Sequence, residues 1–337
     1  MTMHEPPHEP ETAGDTGFSH APVMVDEVVA TFAAVPEGWV VDATVGGGGH
    51  AAALLEAYPA MRLLGLDQDP DALAAAARRL GVDAPPHGTT HRVRLERCRF
   101  DALPEVVARV GAEPVAGVLF DLGVSSHQFD VPGRGFSYRH RGPLDMRMDP
   151  DGDLTAADIV NTWPQEDLEG LLRRNADERF AKRIAAALVA ARPVGDTTEL
   201  AEVVRNAIPA ATRRRGRHPA LRTFQALRIE VNHELEVLGV SLRQAIDALT
   251  PGGRIAVLSY HSGEDRIAKQ QLRHAATGGC TCDPALGCGC GATPTLRLLR
   301  PGGWTPSDAE VAANPRAASA RLRAGEKLFG PGAEVAA

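Results

Sequence analysis

Four consecutive glycines, Gly46 to Gly49, stand between an apolar run and an alanine-rich one. The run before them, Trp39-Val40-Val41-Asp42-Ala43-Thr44-Val45, has the length and composition of a buried strand, and Ala51 to Ala57 opens a helix. A backbone without Cβ can turn sharply between the two and pass close to a ligand, while the helix N-terminus offers unpaired N–H groups. Gly46-x-Gly48-x-x-Ala51 fits the looser form of the dinucleotide fingerprint. Such a unit commits the chain to a parallel α/β sheet if the rhythm continues.

It does continue. Leu63 to Asp67 reads as a second strand, and Asp69-Pro70 as an N-cap with proline at the first helical position, leading a helix to Leu80. Val93 to Arg99 is a third strand, Leu103 to Val110 a helix, and Val115 to Asp121 a fourth strand ending in an acid. A helix is also expected within Ala21–Val35. Alternation at this spacing predicts helices on both faces of the sheet. Residues 123–153, rich in Gly, Arg, Asp and Pro, read as an ordered loop, and from Thr155 to Ile208 only helices are expected. There Thr162-Trp163-Pro164-Gln165 has capping-box spacing, and helices over Glu178–Arg192 and Glu199–Ile208 stop at Pro193 and Pro209. Thr223 to Leu238 reads as one long helix, and helix continues from Leu242 to Leu249. The turn Thr250-Pro251-Gly252-Gly253 then leads into a strand over Arg254–Tyr260.

Expected boundaries follow: a disordered tail over 1–18, a sheet domain split between 19–129 and 236–330, an inserted helical domain over 130–235, and a tail over 331–337. The net charge of −7 rules out a polycation, so nucleic-acid binding would need a local basic patch. The N-terminus lacks the basic and apolar regions of a secretory signal, and no run is long and apolar enough to span a membrane. The expected compartment is the cytoplasm. The sequence leaves the oligomeric state open, a homodimer included.

Asp67 lies 21 residues beyond Gly46, at the end of the second strand. A carboxylate there can accept hydrogen bonds from ribose hydroxyls, which NAD and S-adenosylmethionine share. Two features favour the methyl donor. Phe120-Asp121-Leu122-Gly123 follows the fourth strand at its C-terminal end, where ligands sit in open α/β sheets. The Leu249-Thr250-Pro251-Gly252-Gly253 turn resembles one frequent in class I methyltransferases.

Longer strings carry a closer resemblance. They are His20-x-Pro22-Val23, Gly48-Gly49-His50, Asp67-Gln68-Asp69-Pro70, Asp121-Leu122-Gly123-Val124-Ser125-Ser126 and Arg134-Gly135-Phe136-Ser137. They continue with Gly142 to Asp149, Glu178 to Ile184, His218-Pro219-Ala220 to Gln225-Ala226, and Ser259-Tyr260-His261-Ser262 to Arg266. Over about residues 20–329 the sequence resembles the bacterial methyltransferases that modify N4 of a cytidine in the decoding centre of 16S ribosomal RNA. The resemblance implies a class I, Rossmann-like methyltransferase domain interrupted by an all-helical domain, with S-adenosylmethionine as cofactor and the small ribosomal subunit or its precursor as partner. It places cofactor contacts on Gly48, Gly49, His50, Asp67, Phe100, Asp121 and Gln128. Phe100 would offer a ring to adenine. The family often has Arg where Gly47 stands and Pro where His127 stands.

No Asn-Pro-Pro-Tyr type motif is present to activate the amino group, so Asp121 or a nearby backbone carbonyl is the candidate proton acceptor. From Arg205 to Arg228 there are seven arginines and no acid. Arg213, Arg214, Arg215, Arg217, Arg222 and Arg228 are therefore candidates to grip phosphate. Arg134, Arg139, Arg141 and Arg147 form a second cluster, with Asp145 among them. Phe136 and Tyr138 are candidates to stack on a flipped base, Phe136 equally a core residue. His261, at the end of the late strand, reads either as facing the site or as a helix cap. Cys280-x-Cys282-x5-Cys288-x-Cys290 could hold zinc or stay as reduced thiols. The rivals are a nicotinamide-dependent oxidoreductase and a non-catalytic RNA-binding assembly factor.

Overall fold

A computed structural model describes residues 22–83, 90, 92–210, 218–282 and 289–330. The expected tails, Arg213, Arg214, Arg215, Arg217 and Cys288 lie outside the described residues. The centre is a seven-stranded sheet in the order β3-β2-β1-β4-β5-β7-β6, the Rossmann-like order of class I methyltransferases. The strands are β1 (Trp39–Asp42), β2 (Arg62–Asp67), β3 (Val93–Arg97), β4 (Val115–Asp121), β5 (Leu249–Ser259), β6 (Leu296–Leu298) and β7 (Arg321–Lys327). β1 to β5 run parallel, and β7 enters antiparallel beside β5. The middle strands read as near-continuous apolar runs because helices cover both faces: β4 is buried from Val115 to Phe120.

The helices after β1, β2 and β3 span Gly49–Ala57, Pro70–Leu80 and Leu103–Val110, close to expectation. Asp69 caps the second by accepting the Asp71 N–H at 3.0 Å. β6 and β7 were not legible as strands. Their alternation is broken by charge, and Arg323 is drawn into the interior by a two-bond pair with Asp265.

Between β4 and β5 the chain builds a separate apolar core from Phe136, Leu144, Met146, Ile159, Leu171, Ile184, Leu200, Phe224 and their neighbours. Its helices are Ala156–Thr162, Gln165–Ala176, Ala181–Ala190, Thr197–Ala207 and Leu221–Val231. The capping box lies one helix earlier than expected. Thr155 and Asp158 form it, whereas Thr162 ends that helix and Pro164 precedes the next. The single helix expected over 223–238 is two helices, Leu221–Val231 and Glu234–Ala248, broken where His233 adopts φ 53°. The break has a tertiary cause. Asn232 accepts the Met148 N–H at 2.7 Å and donates to the Met146 carbonyl at 2.8 Å, so its side chain clamps the 146–148 segment. Among the described residues no helix is long and apolar enough to cross a membrane.

Candidate functional site

Parallel register brings the C-terminal ends of β1, β2, β3 and β4 to one edge, with Asp42, Asp67, Arg97 and Asp121 along it. The chain reverses direction across the sheet between β1 and β4, and such a switch point opens a crevice. The loops that leave these two strands face each other there. A Cβ placed on Gly46 would come no nearer than 3.8 Å to any atom, the first two being Thr44 O and Ser125 Cβ. Gly46 and Gly48 both adopt a left-handed φ, 51° and 76°, but a Cβ on Gly48 would also press on Ala76 Cα at 3.2 Å. Gly49 lies flush against Pro22. Gly46 is therefore the glycine that leaves room at the crevice, while Gly48 and Gly49 let the following helix sit tight against its neighbours.

Asp67 faces this turn. Its carboxylate accepts the Gly46 N–H at 2.9 Å and the Asp69 N–H at 2.9 Å. Burial raises its pKa to about 6 despite those donors. Asp42, fully inside, is raised by burial to about 7.

Asp121 anchors a chain of polar contacts through the crevice wall. Oδ1 accepts the Tyr260 hydroxyl at 2.7 Å, and Oδ2 lies 3.3 Å from His50 Nδ1. His50 Nε2 lies 2.9 Å from the Val23 carbonyl. Both ring nitrogens face acceptors, an arrangement that favours the doubly protonated, charged ring. Burial works against that charge, but the Asp121 carboxylate outweighs it and the His50 pKa is raised. The Asp121 N–H donates to Thr44 Oγ1, tying β4 to the β1 turn. His50 thus presents no unused ring nitrogen to a ligand; it fixes the orientation of Asp121. Tyr260 and Thr44 carry no signal of this in the sequence beyond their neighbours.

Gln128 is also buried. Its amide donates to Asp69 Oδ2 at 2.7 Å and accepts the Ser125 N–H at 3.0 Å, which closes the loop after β4 onto the Asp69 cap. Phe100 is half-buried, edge-on to Phe120 with centroids 5.7 Å apart. Beside it a groove of about 520 Å³ runs over the ends of β2 and β3, lined by Gln68, Arg97, Cys98, Arg99, Asp101, Ala102, Asp149 and Asp151. Arg97 crosses it to Asp149 and Asp151, both at 2.6 Å, so one wall comes from the segment that follows β4.

The residues expected to meet RNA divide into two sets. Arg139 and Arg222 are exposed. Tyr138 is half-buried and already stacked on His218, with centroids 4.4 Å apart. Arg141 is exposed as well, with its Nε on Asp196 Oδ2 at 2.8 Å. Of the remaining described candidates, Arg134, Phe136, Arg147, Arg228 and His261 make their contacts within the protein. Arg134 is held by Asp69, by Asp71 and by the carbonyls of Arg147 and Met148. Arg147 forks onto both oxygens of Asp145 and holds the Asp145 carboxyl below the usual range against burial. Phe136 takes the core position. Arg228 pairs with Glu234 at 2.7 and 2.9 Å in the interior. His261 takes the cap role: its Nδ1 accepts the Gly263 N–H at 3.1 Å, and Nε2 lies 3.1 Å from Glu264.

Comparison with known proteins places this geometry. "Ribosomal RNA small subunit methyltransferase H" of Acidothermus cellulolyticus is 51% identical over 328 residues, covering 95% of this chain and 97% of the relative. The protein of that name from Heliobacterium mobile is 48% identical over 317 residues, covering 92% and 99%. The family model described as the MraW methylase family matches residues 17–328, nearly the whole chain, and the protein belongs to that family.

Proposed function

We propose that this protein transfers a methyl group from S-adenosylmethionine to N4 of a cytidine in the decoding centre of 16S ribosomal RNA. The observation that carries the reading is Asp67: an acid at the end of β2, bonded to the glycine turn that follows β1, and next in the chain to Gln68, which lines the groove over the ends of β2 and β3. Family membership and the names of the relatives, which act on small-subunit ribosomal RNA, support the substrate.

The donor fits the residues present. Asp67 keeps lone pairs for ribose hydroxyls beyond its two backbone donors. Phe100 offers a partly exposed ring for adenine, and the space at Gly46 admits a close approach by the ligand. When bound, the donor supplies an electrophilic methyl on a sulfonium. The protein's contribution is orientation in line with the incoming nitrogen. Asp121 lies at the crevice with both oxygens engaged by Tyr260 and His50, an arrangement that fixes a negative charge in place rather than leaving a mobile base. The target base leaves its stack to reach the crevice. Arg139, Arg222 and the helices between β4 and β5 form the substrate-recognition domain, which spans 130–235 in this reading.

Methyl transfer to small subunits from a strain lacking the modification, followed by nucleoside mass analysis, tests the reaction. N4-methylcytidine is expected, and 5-methylcytidine would refute the regiochemistry.

Asp67 gives a pH prediction. Its carboxyl is raised to about 6 by burial, so in the free protein it is protonated below that pH and ionised above it. Ribose hydroxyls donate to the ionised form. Affinity for S-adenosylmethionine is expected to weaken as pH falls below about 6 and to level off above it. The same raised pKa means that ionising Asp67 costs the free protein stability as pH rises from the unfolded carboxyl value toward 6. Calorimetric titration across this range on the wild type and Asp67→Asn checks it: the variant should bind weakly with no such step.

A further inference from the structure

The geometry points to a zinc ion bound by Cys280, Cys282 and Cys290, at the far end of the Ser262–Thr277 helix from the candidate active site. The three sulfurs lie within 4.8 Å of one another. They come from two Cys-x-Cys arms that leave a common neck. At the neck the backbones nearly touch: a Cβ on Gly278 would meet the Thr293 carbonyl carbon and oxygen at 2.5 Å. Gly278 also adopts φ 59°, ending the helix with its N–H on the His274 carbonyl. Thr295 N–H donates to the Ala275 carbonyl, and Leu328 N–H to the Thr295 carbonyl, so the returning arm is stitched to the helix and to the strand edge.

The composition between these arms suits a cross-link. Residues 278–293 contain five glycines and one large aliphatic residue, Leu286. So little apolar surface cannot fix a hairpin by burial; small units of this kind are held by disulfides or metals. The donor set chooses between the two. Zinc takes thiolates at about 2.3 Å in a tetrahedron, which sets sulfurs somewhat under 4 Å apart, a modest contraction from the spread seen here. A disulfide would join two sulfurs and leave the third out, and closing either Cys-x-Cys arm on itself would strain the backbone. Three thiolates with no His or carboxylate among them favour zinc over magnesium, calcium or manganese. Each thiol gives up its proton on binding. The fourth position belongs to a further donor. Cys288 is the remaining cysteine of the segment and lies outside the described residues. Cys98 stands apart at the end of β3, where burial pushes its thiol up to about 12.

The role that follows is structural. A thiolate site pins the neck, and with it the C-terminal end of the helix whose Glu264, in the first turn, lies 3.1 Å from the cap residue His261 and 3.8 Å from Arg228. The test uses the purified full-length protein. Elemental analysis is expected to find one zinc per chain. Replacing the metal by cobalt should give the visible bands of a tetrahedral ion together with a sulfur-to-cobalt charge-transfer band. Cys280→Ser/Cys290→Ser should carry no zinc, whereas Cys98→Ser should keep its full complement. The cobalt spectrum of the wild type stands even if the double variant fails to fold. The proposal is overturned by metal-free protein with thiols fully open to reagent, by an intact mass showing hydrogens lost to disulfides, by an iron–sulfur spectrum, or by zinc that persists in the double variant.

Discussion

Replacing Arg228 by alanine is expected to lower folding stability by about 3–5 kcal/mol, enough to remove much of what a domain of this kind possesses. Arg228 lies on the last turn of the Leu221–Val231 helix, with two bonds to Glu234 and Glu264 3.8 Å away. Side-chain exposure is 13% for Arg228, 11% for Glu234 and 3% for Glu264, so water cannot take over the pairing. Burial already raises the Glu234 carboxyl, while Glu264 is held low against its own burial by His261 and Arg228. Without the guanidinium Glu234 is stranded and its already raised pKa climbs further, whereas Glu264 keeps His261 and the Tyr260 N–H. The loss should therefore be largest at neutral pH and should shrink as acid protonates the stranded Glu234 carboxyl. Denaturant titrations at two pH values check it. A surface arginine gripping RNA would instead lose substrate affinity with stability unchanged, and that outcome would sink the structural assignment.

Asp121→Ala should produce the second large effect, on binding and folding together. It deprives the Tyr260 hydroxyl of its acceptor and His50 of its counter-charge. Each stranded buried donor costs about 1–3 kcal/mol. With the carboxylate gone, only the Val23 carbonyl and Asp42 still work against burial at His50, so its pKa falls and the wall of the crevice loosens. Affinity for S-adenosylmethionine is expected to fall more than about tenfold, as a loss of one or two charge-assisted bonds implies. Tyr260→Phe separates the contributions, since it removes one bond and leaves the His50 pair. Measuring affinity and turnover separately decides the role of Asp121. Unchanged affinity with lost turnover would overturn its assignment to the cofactor.

The parts of the molecule legible in the sequence are those governed by local rules. β1, β2 and β4 are near-continuous apolar runs that fit parallel strands covered on both faces, and Asp69-Pro70 announces its helix by cap chemistry. Where distant partners decide, the sequence is silent. His233 carries no breaker signal, yet the helix ends there because Asn232 is claimed by a segment more than eighty positions earlier in the chain. Arg134 and Arg228 look like their surface counterparts until Asp69, Glu234 and Glu264 are placed beside them. Tyr260 is an unremarked residue of a motif until its hydroxyl is seen on Asp121. The acids at the strand ends were legible because strand ends are. The buried chain that orients Asp121 was not, because it joins Val23, His50 and Tyr260 from three separate stretches.

The position of the helices between β4 and β5 also shapes how the chain comes into being. β4 and β5 are neighbours in the sheet, but synthesis from the N-terminus delivers β4 long before Leu249 opens β5. Until then β4 is an edge strand, with one side paired to β1 and six of its seven residues destined for burial. An apolar edge left open in this way is a template for pairing with another chain. The helices made in the interval have their own core to complete and contribute no strand to cover it. The nascent protein is therefore most exposed to aggregation, and most in need of chaperone cover, between the emergence of Asp121 and that of Ser259.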